Sequence, residues 1–252
     1  MAPLLIINPN TSHGVSERLA AQATATLPPG AAVRVVTARF GAPYISSEAA
    51  VAVAAHATLQ ACAEFFADHG RPSAVLIGCF GDPGLLALRE LAGVPVTGLA
   101  EAAMRSASAL GPYAIVTGGA AWAPMLQRLA ASLGLDSGLT SIVTVERTGA
   151  ELAADPGAAH ALLLGACRQA LCGEAGGRVP RSLVLGGAAL TGMGDALAPL
   201  LGVPLLDSVQ CGLLAAWRSA QANIGTTVPP GATIDWQGEA ASLKWLAGHH
   251  PG

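Results

Sequence analysis

An apolar run, AVLI, ends in GCFGDPG at residues 78–84. A cysteine at the end of a strand, between glycines and ahead of a helix start, sits among free backbone N–H groups near the positive end of a helix dipole. Both stabilise a thiolate and lower its pKa from about 8.5. Cys79 is therefore the candidate acid/base thiol, whereas Cys62, Cys167 and Cys172 fall inside expected helices and read as structural. A second run, LVLGGAALTGMG (183–194), has the same shape, with Gly187 where the thiol would stand. Two further loops offer donors. INPNTS (7–12) sets Asn8, Asn10, Thr11 and Ser12 after the first strand, with Pro9 stiffening the turn. Thr11 or Ser12 also suits the cap of the next helix, and a capped helix start is itself an anion site. VTGGAAWAP (116–124) places the backbone N–H groups of Gly118 and Gly119 in a similar position later in the chain.

Familiar alternatives are absent from the sequence. The first strand leads into NPNTSHG rather than G-x-G-x-x-G, and VTARF ends the second strand without the acidic ribose ligand, so no dinucleotide site is expected. There is no phosphate-binding G-x-x-x-x-G-K-[ST] loop and no G-x-S-x-G elbow. His13, His56, His69, His160, His249 and His250 have no metal-ligand spacing, and the last two read as solvated. With so few lysines, no residue stands out for a pyridoxal phosphate Schiff base. The expectation is no cofactor and no metal.

The elements that must hold these loops alternate. Short strands (PLLIIN, AVRVVTA, SAVLIG, VPVTG, YAIVTG, SIVTV, SLVLG, VPLLD) are separated by Ala/Leu-rich helical stretches, such as Ser46 to Asp68 and Ala150 to Cys172. Strand, helix, strand without hairpin signals predicts an α/β fold with parallel sheets. The pattern is also written twice. Gly78 followed by Gly93-Val94-Pro95-Val96 matches Gly186 followed by Gly202-Val203-Pro204-Leu205, with intervals that differ by one residue. Two pseudo-symmetric Rossmann-like halves are expected, residues 1–97 plus 207–252 and residues 98–206. Facing each other, they would bring both glycine loops to one cleft at the carboxyl ends of their strands. The tail from Asn223 to Gly252 breaks the rhythm and reads as a surface arm or cover.

Composition narrows the partners. Of the 252 residues 52% are hydrophobic and only 12% charged, about half the usual share, and an extensive homo-oligomer interface is the expected reason. The net charge of -3 and the lack of a Lys/Arg run recruit neither nucleic acid nor anionic lipid. The N-terminus has no basic region ahead of its apolar run, so no signal peptide is expected. No stretch reaches the ~18 consecutive apolar residues of a membrane helix. Five irregularly spaced cysteines read as reduced thiols, hence a cytoplasmic protein, and the partner expected in place of nucleic acid or membrane is a small-molecule substrate.

Together INPNTS, FGAPYISS, LIGCFGDPGL, IVTGGAAWAPMLQRL and LVLGGAALTG followed by GVPLLDSV resemble the aspartate/glutamate racemase superfamily, in its hydantoin/allantoin racemase branch, over most of residues 3–218. The resemblance implies two pseudo-symmetric α/β halves with the site between them, and neither metal nor pyridoxal phosphate. It implies a two-thiol reaction: one thiolate removes the proton next to a carbonyl, the other thiol returns one to the opposite face, and backbone amides hold the enolate oxygen. Cys79 matches the first thiol, and Gly187 replaces the second. Asn10, Tyr44, Ile45, Phe80, Gly118, Gly187 and Ala188 are the expected substrate contacts. Three readings of the glycine stand open. The chain racemises with water, Thr191 or Cys211 serving the second face; or it is a one-thiol decarboxylase or lyase; or it binds a small cyclic amide or carboxylate without turnover. A cysteine restored at 187 is expected to raise racemisation, provided the residue there does not need φ > 0.

Overall fold

The computed structural model describes residues 2–172 and 178–222, with Gln237, Leu243 and Leu246 of the tail. Continuous apolar runs mark strands covered on both faces. Four of them, β1 (Leu4–Asn8), β2 (Val33–Thr37), β3 (Ala74–Ile77) and β4 (Val96–Gly98), form one parallel sheet in the order β2-β1-β3-β4. Four more, β5 (Tyr113–Gly118), β6 (Leu139–Val145), β7 (Ser182–Gly186) and β8 (Leu205–Asp207), form a second parallel sheet in the order β6-β5-β7-β8. The two orders are the same once β1 is matched to β5. The repeated GVP does the same work in each: Pro95 O accepts from Val75 N–H (2.8 Å), and Pro204 O accepts from Leu183 N–H (2.9 Å).

The crossovers are helices, as parallel pairing requires. They are α1 (His13–Thr26), α2 (Glu48–His69), α3 (Leu85–Leu91), α4 (Leu99–Ser108), α5 (Trp122–Ser132), α6 (Gly149–Ala154), α7 (Pro156–Cys172), α8 (Gly194–Leu197) and α9 (Ser208–Gln221). Ser47 caps α2, its side chain accepting from Ala50 N–H. By length and composition α2 would cross a membrane, but Thr58, Cys62, Phe65 and Phe66 are among the side chains it buries in the protein. One expectation fails here. The stretch from Ala150 to Cys172 is not one helix: it breaks at Asp155, whose extended φ of -133° is what a following proline demands. Pro156 then opens α7, where its missing N–H costs nothing, and Asp155 Oδ1 accepts from Ala158 N–H. Thr148 and Glu151 close a capping box at the start of α6.

The chain folds as two compact units: Met1–Gly78, Asp82–Gly98 and Leu213–Gly252 form the first, and Cys79–Gly81 with Leu99–Gly212 the second. The first centres on the buried strands β1 and β3 and the apolar face of α2. In the second, Val116, Leu163, Cys167, Leu183 and Leu185 belong to a core between the sheet and α7. The tail from Asn223, with His249 and His250, lies outside the described residues except for Gln237 and the buried Leu243 and Leu246.

Candidate active site

In the second unit β5 and β7 run side by side, with Thr117 paired to Gly186, so the turns that follow them leave the sheet as neighbours. Thr117 Oγ1 donates to Gly186 O (2.8 Å) and ties the two strand ends together. The short segment Cys79–Gly81 belongs to this unit although the residues on either side of it belong to the first. Two glycines explain the docking. The Phe80 ring lies over Gly186 and the Trp122 indole over Gly81, so closely that a Cβ on either glycine would overlap the ring. Phe80, Trp122 and Cys79 are all buried, the thiol residue at 8% exposure. Three loops therefore converge at the carboxyl ends of β5 and β7, where parallel sheets offer ligand sites.

The Gly187 loop is held from behind. Gly187 N–H donates to Ser208 Oγ (3.2 Å), while Asp207 Oδ2 accepts from Thr191 Oγ1 (3.1 Å) and Gly192 N–H (3.0 Å). The other oxygen of Asp207 accepts from Val209 and Gln210 N–H at the start of α9. Thr191, one proposed stand-in for the missing thiol, is thus hydrogen-bonded to a carboxylate, and Cys211 lies half-buried on α9. Gly187 has φ 135°, a left-handed value that side chains rarely adopt. The condition for restoring a cysteine there, a residue that does not need φ > 0, is therefore not met, and the expected gain is withdrawn.

The remaining expected residues fall as follows. Gly118 ends β5 and is buried; Ala188 opens the turn after Gly187 and is half-buried. Asn10, Tyr44 and Ile45 are in the first unit, with Ile45 and Asn10 buried. INPNTS is folded largely by its own side chains. Asn8 Oδ1 accepts from Asn10 N–H, Asn8 Nδ2 donates to Ser12 O and Ser16 Oγ, and Asn10 Oδ1 accepts from Ser12 N–H. Asn8 is structural, then, and Asn10 has its amide nitrogen and the second lone pair of its oxygen to offer a ligand. Ser12 is the cap residue of α1 but makes no side-chain cap bond. Two other expectations are corrected. Gly119 N–H is not free, since it donates to Val145 O (2.9 Å). Nor does Cys79 sit beside the positive end of a helix: the helix expected after FGDPG is there, α3 from Leu85, but it has only seven residues and a turn intervenes, Gly81 N–H donating to Cys79 O.

None of the five cysteines is in a disulfide. Burial pushes the Cys167 thiol up to about 11, and it also raises Cys62, against the opposing pull of the Arg71 guanidinium. Neither supplies a thiolate near neutral pH. Cys172, expected to be structural, is exposed. Among the described residues no cluster of three or more His, Cys, Asp or Glu is arranged to hold a metal ion. A pocket of about 310 Å³ in the first unit is lined by His13, Thr37, Arg39, Glu64, Asp68 and His69 among others, and by none of the expected contacts. Sequence reasoning gave no role at the site to Trp122, Gly186, Asp207 or Ser208. Trp122 was in the quoted GGAAWAP and Asp207 ends the repeated GVP strand, but a role that depends on packing against another loop has no local signature.

The family model for Asp/Glu/hydantoin racemase matches residues 4–216. Among curated proteins the chain is 31% identical over 219 residues to a hydantoin racemase of Paenarthrobacter aurescens, covering 86% of this chain and 89% of that one. Among solved structures it resembles an allantoin racemase from Klebsiella pneumoniae, with a TM-score of 0.86 and 28% identity over 96% of this chain and 99% of that one. An allantoin racemase from Pseudomonas fluorescens gives a TM-score of 0.83 and 26% identity, over 92% and 99%.

Proposed function

The chain belongs to the Asp/Glu/hydantoin racemase family and is an isomerase, and we propose that it inverts the carbon next to a carbonyl in a hydantoin-like ring with Cys79 as its proton carrier. The observation that supports this best is the convergence of the Cys79 segment, the turn after β5 and the Gly187 loop on one unit. The Cys79 thiolate takes the α-proton, and the electron pair of the broken C–H bond moves onto the carbonyl oxygen. Gly187 commits its N–H to Ser208, so the enolate oxygen is assigned to the amide of Ala188. Water returns a proton to the other face, and the hydroxide it leaves is neutralised by the thiol. Asn10, Tyr44, Ile45, Phe80 and Gly118 are the remaining proposed contacts. The absence of disulfides among the five cysteines and the sparse charge favour a cytoplasmic homo-oligomer as the working form.

A second reading has a specific observation behind it. The Gly187 loop carries no thiol, and its threonine is engaged with Asp207, which favours protonation from the Cys79 side alone, as in a one-thiol decarboxylase or lyase. Single enantiomers of 5-substituted hydantoins and allantoin, and substituted malonates, are incubated in D₂O and followed by NMR and chiral chromatography. Racemisation with deuterium at the α-carbon is the expected result. Deuteration with retained handedness, or loss of CO₂ from a malonate, would select the second reading, and no exchange on any of them would sink both.

A further inference from the structure

The segment that carries the thiol is held by contacts that the reaction chemistry does not require. Its anchor can be followed residue by residue. Val145 O accepts from Gly119 N–H (2.9 Å), and Gly119 O accepts from Trp122 N–H (3.1 Å), so the first residue of α5 is fixed to the end of the second sheet. The buried Trp122 indole covers Gly81, and Gly81 N–H donates to Cys79 O (3.1 Å). On the other side Phe80 covers Gly186, which Thr117 holds. Cys79 therefore lies within two residues of two ring-on-glycine contacts, both made by the second unit.

We infer that Trp122 is a positioning residue for the Cys79 thiol: its indole, seated where Gly81 has no side chain, fixes the thiol relative to the Gly187 loop. The inference rests on the proposed role of Cys79. A large planar ring with two side-chain torsions holds a backbone more firmly than an aliphatic chain would. Displacing a reacting group by about 1 Å costs on the order of 10²-fold in rate.

The test compares Trp122→Phe with Trp122→Ala by three measurements: kcat and KM for α-proton exchange, iodoacetamide alkylation of Cys79 in ligand-free protein mapped by mass spectrometry, and melting temperature. Trp122→Ala should lower kcat by about 10²-fold with KM within about threefold, and raise Cys79 alkylation about tenfold as the buried thiol is freed. Trp122→Phe, which keeps a ring over Gly81, should restore most of both. Cys172, already exposed, is the internal reference for alkylation. Alkylation of Cys79 that rises no more than that of Cys172 would overturn the inference, as would equal damage from Phe and Ala. Should Trp122→Ala fail to fold, Trp122→Leu, which keeps an apolar side chain but removes the ring over Gly81, takes its place, and the same alkylation ratio decides. If the wild type exchanges no α-proton, or Cys79→Ser still does, the functional reading falls while the alkylation ratio still reports whether Trp122 holds the loop.

Discussion

The loop after β3 and the loop after β7 leave equivalent strands of two like-ordered sheets, yet they are fastened in opposite directions. In the first, the carboxylate comes from the loop: Asp82, buried and left-handed at φ 49°, lies against Gly98, the last residue of β4, so closely that a Cβ there would overlap it. In the second, the carboxylate comes from the strand: Asp207, the last residue of β8, reaches back to Thr191 and Gly192. Gly98 and Asp207 hold the same topological place. Whichever side supplies the carboxylate, the other must be bare or offer a donor. The duplicated architecture keeps the connection and exchanges its ends, and the same freedom lets one loop carry a thiol and the other a glycine.

The thiol itself is where the loops should differ most. Cys79→Ser is expected to lower α-proton exchange by about 10²–10⁴-fold, the usual contribution of a positioned acid or base. Thr191→Val, its nearest counterpart in the other loop, should change exchange less than about threefold, because one hydrogen bond to Asp207 is a modest loss. Isotope exchange measured by NMR separates the two, and equal losses would erase the chemical asymmetry.

The fastening is tested by stability. Gly98→Ala forces a methyl group into the Asp82 carboxylate and should cost about 1–3 kcal/mol in urea unfolding. Gly194→Ala, at the start of α8 in the other half, meets only Leu205 at 3.6 Å and Leu185 at 3.8 Å, and should be within about 0.5 kcal/mol of wild type or slightly stabilising. Reversed costs would show that Asp82 does not depend on a bare Gly98. Gly187→Cys comes next. Leu190 leaves room for the side chain at 3.5 Å, so the cost is backbone strain of about 1–2 kcal/mol. A folded variant with wild-type stability and faster racemisation would return the glycine to the role of a simple missing thiol.

How much of this was legible follows from what each feature depends on. Strands, sheet direction and duplication come from local patterns, and apolar runs with repeated GVP entries carry them directly. The break at Asp155 was also local, since Pro156 was in view; the apolar period on either side of it masked the break. Cys79 and Gly187 stand out because glycine loops at strand ends have few other uses. Trp122 over Gly81 and Phe80 over Gly186 depend on which loops meet in space, and a tryptophan in a helix start looks the same whether it covers a core or a catalytic segment. Gly119 misled for the opposite reason: a glycine pair exposes its amides only if no neighbouring strand claims them, and Val145 does.

The smallest expected effect concerns the thiols that the two halves bury outside these loops, Cys62 on α2 and Cys167 on α7. Cys167 holds its proton up to about 11 in the folded protein because burial disfavours the thiolate, against an ordinary value of 9.0. The unfolded chain therefore releases that proton first. Stability from this group is complete below pH 9, falls as pH rises towards 11, and changes no further beyond it. Tyr113, also in the second unit, is pushed up to about 12 by burial and by the nearby Asp136, and extends the loss to higher pH. Burial raises Cys62 as well, so the first unit contributes in the same direction. Melting temperature should thus decline between pH 9 and 11, and Cys167→Ala should reduce that decline by about 4–8 °C, whatever it does to the melting temperature at pH 7. An unchanged slope in Cys167→Ala would mean that the α7 thiol ionises with the same ease folded and unfolded, and that the second core is less closed than its packing implies.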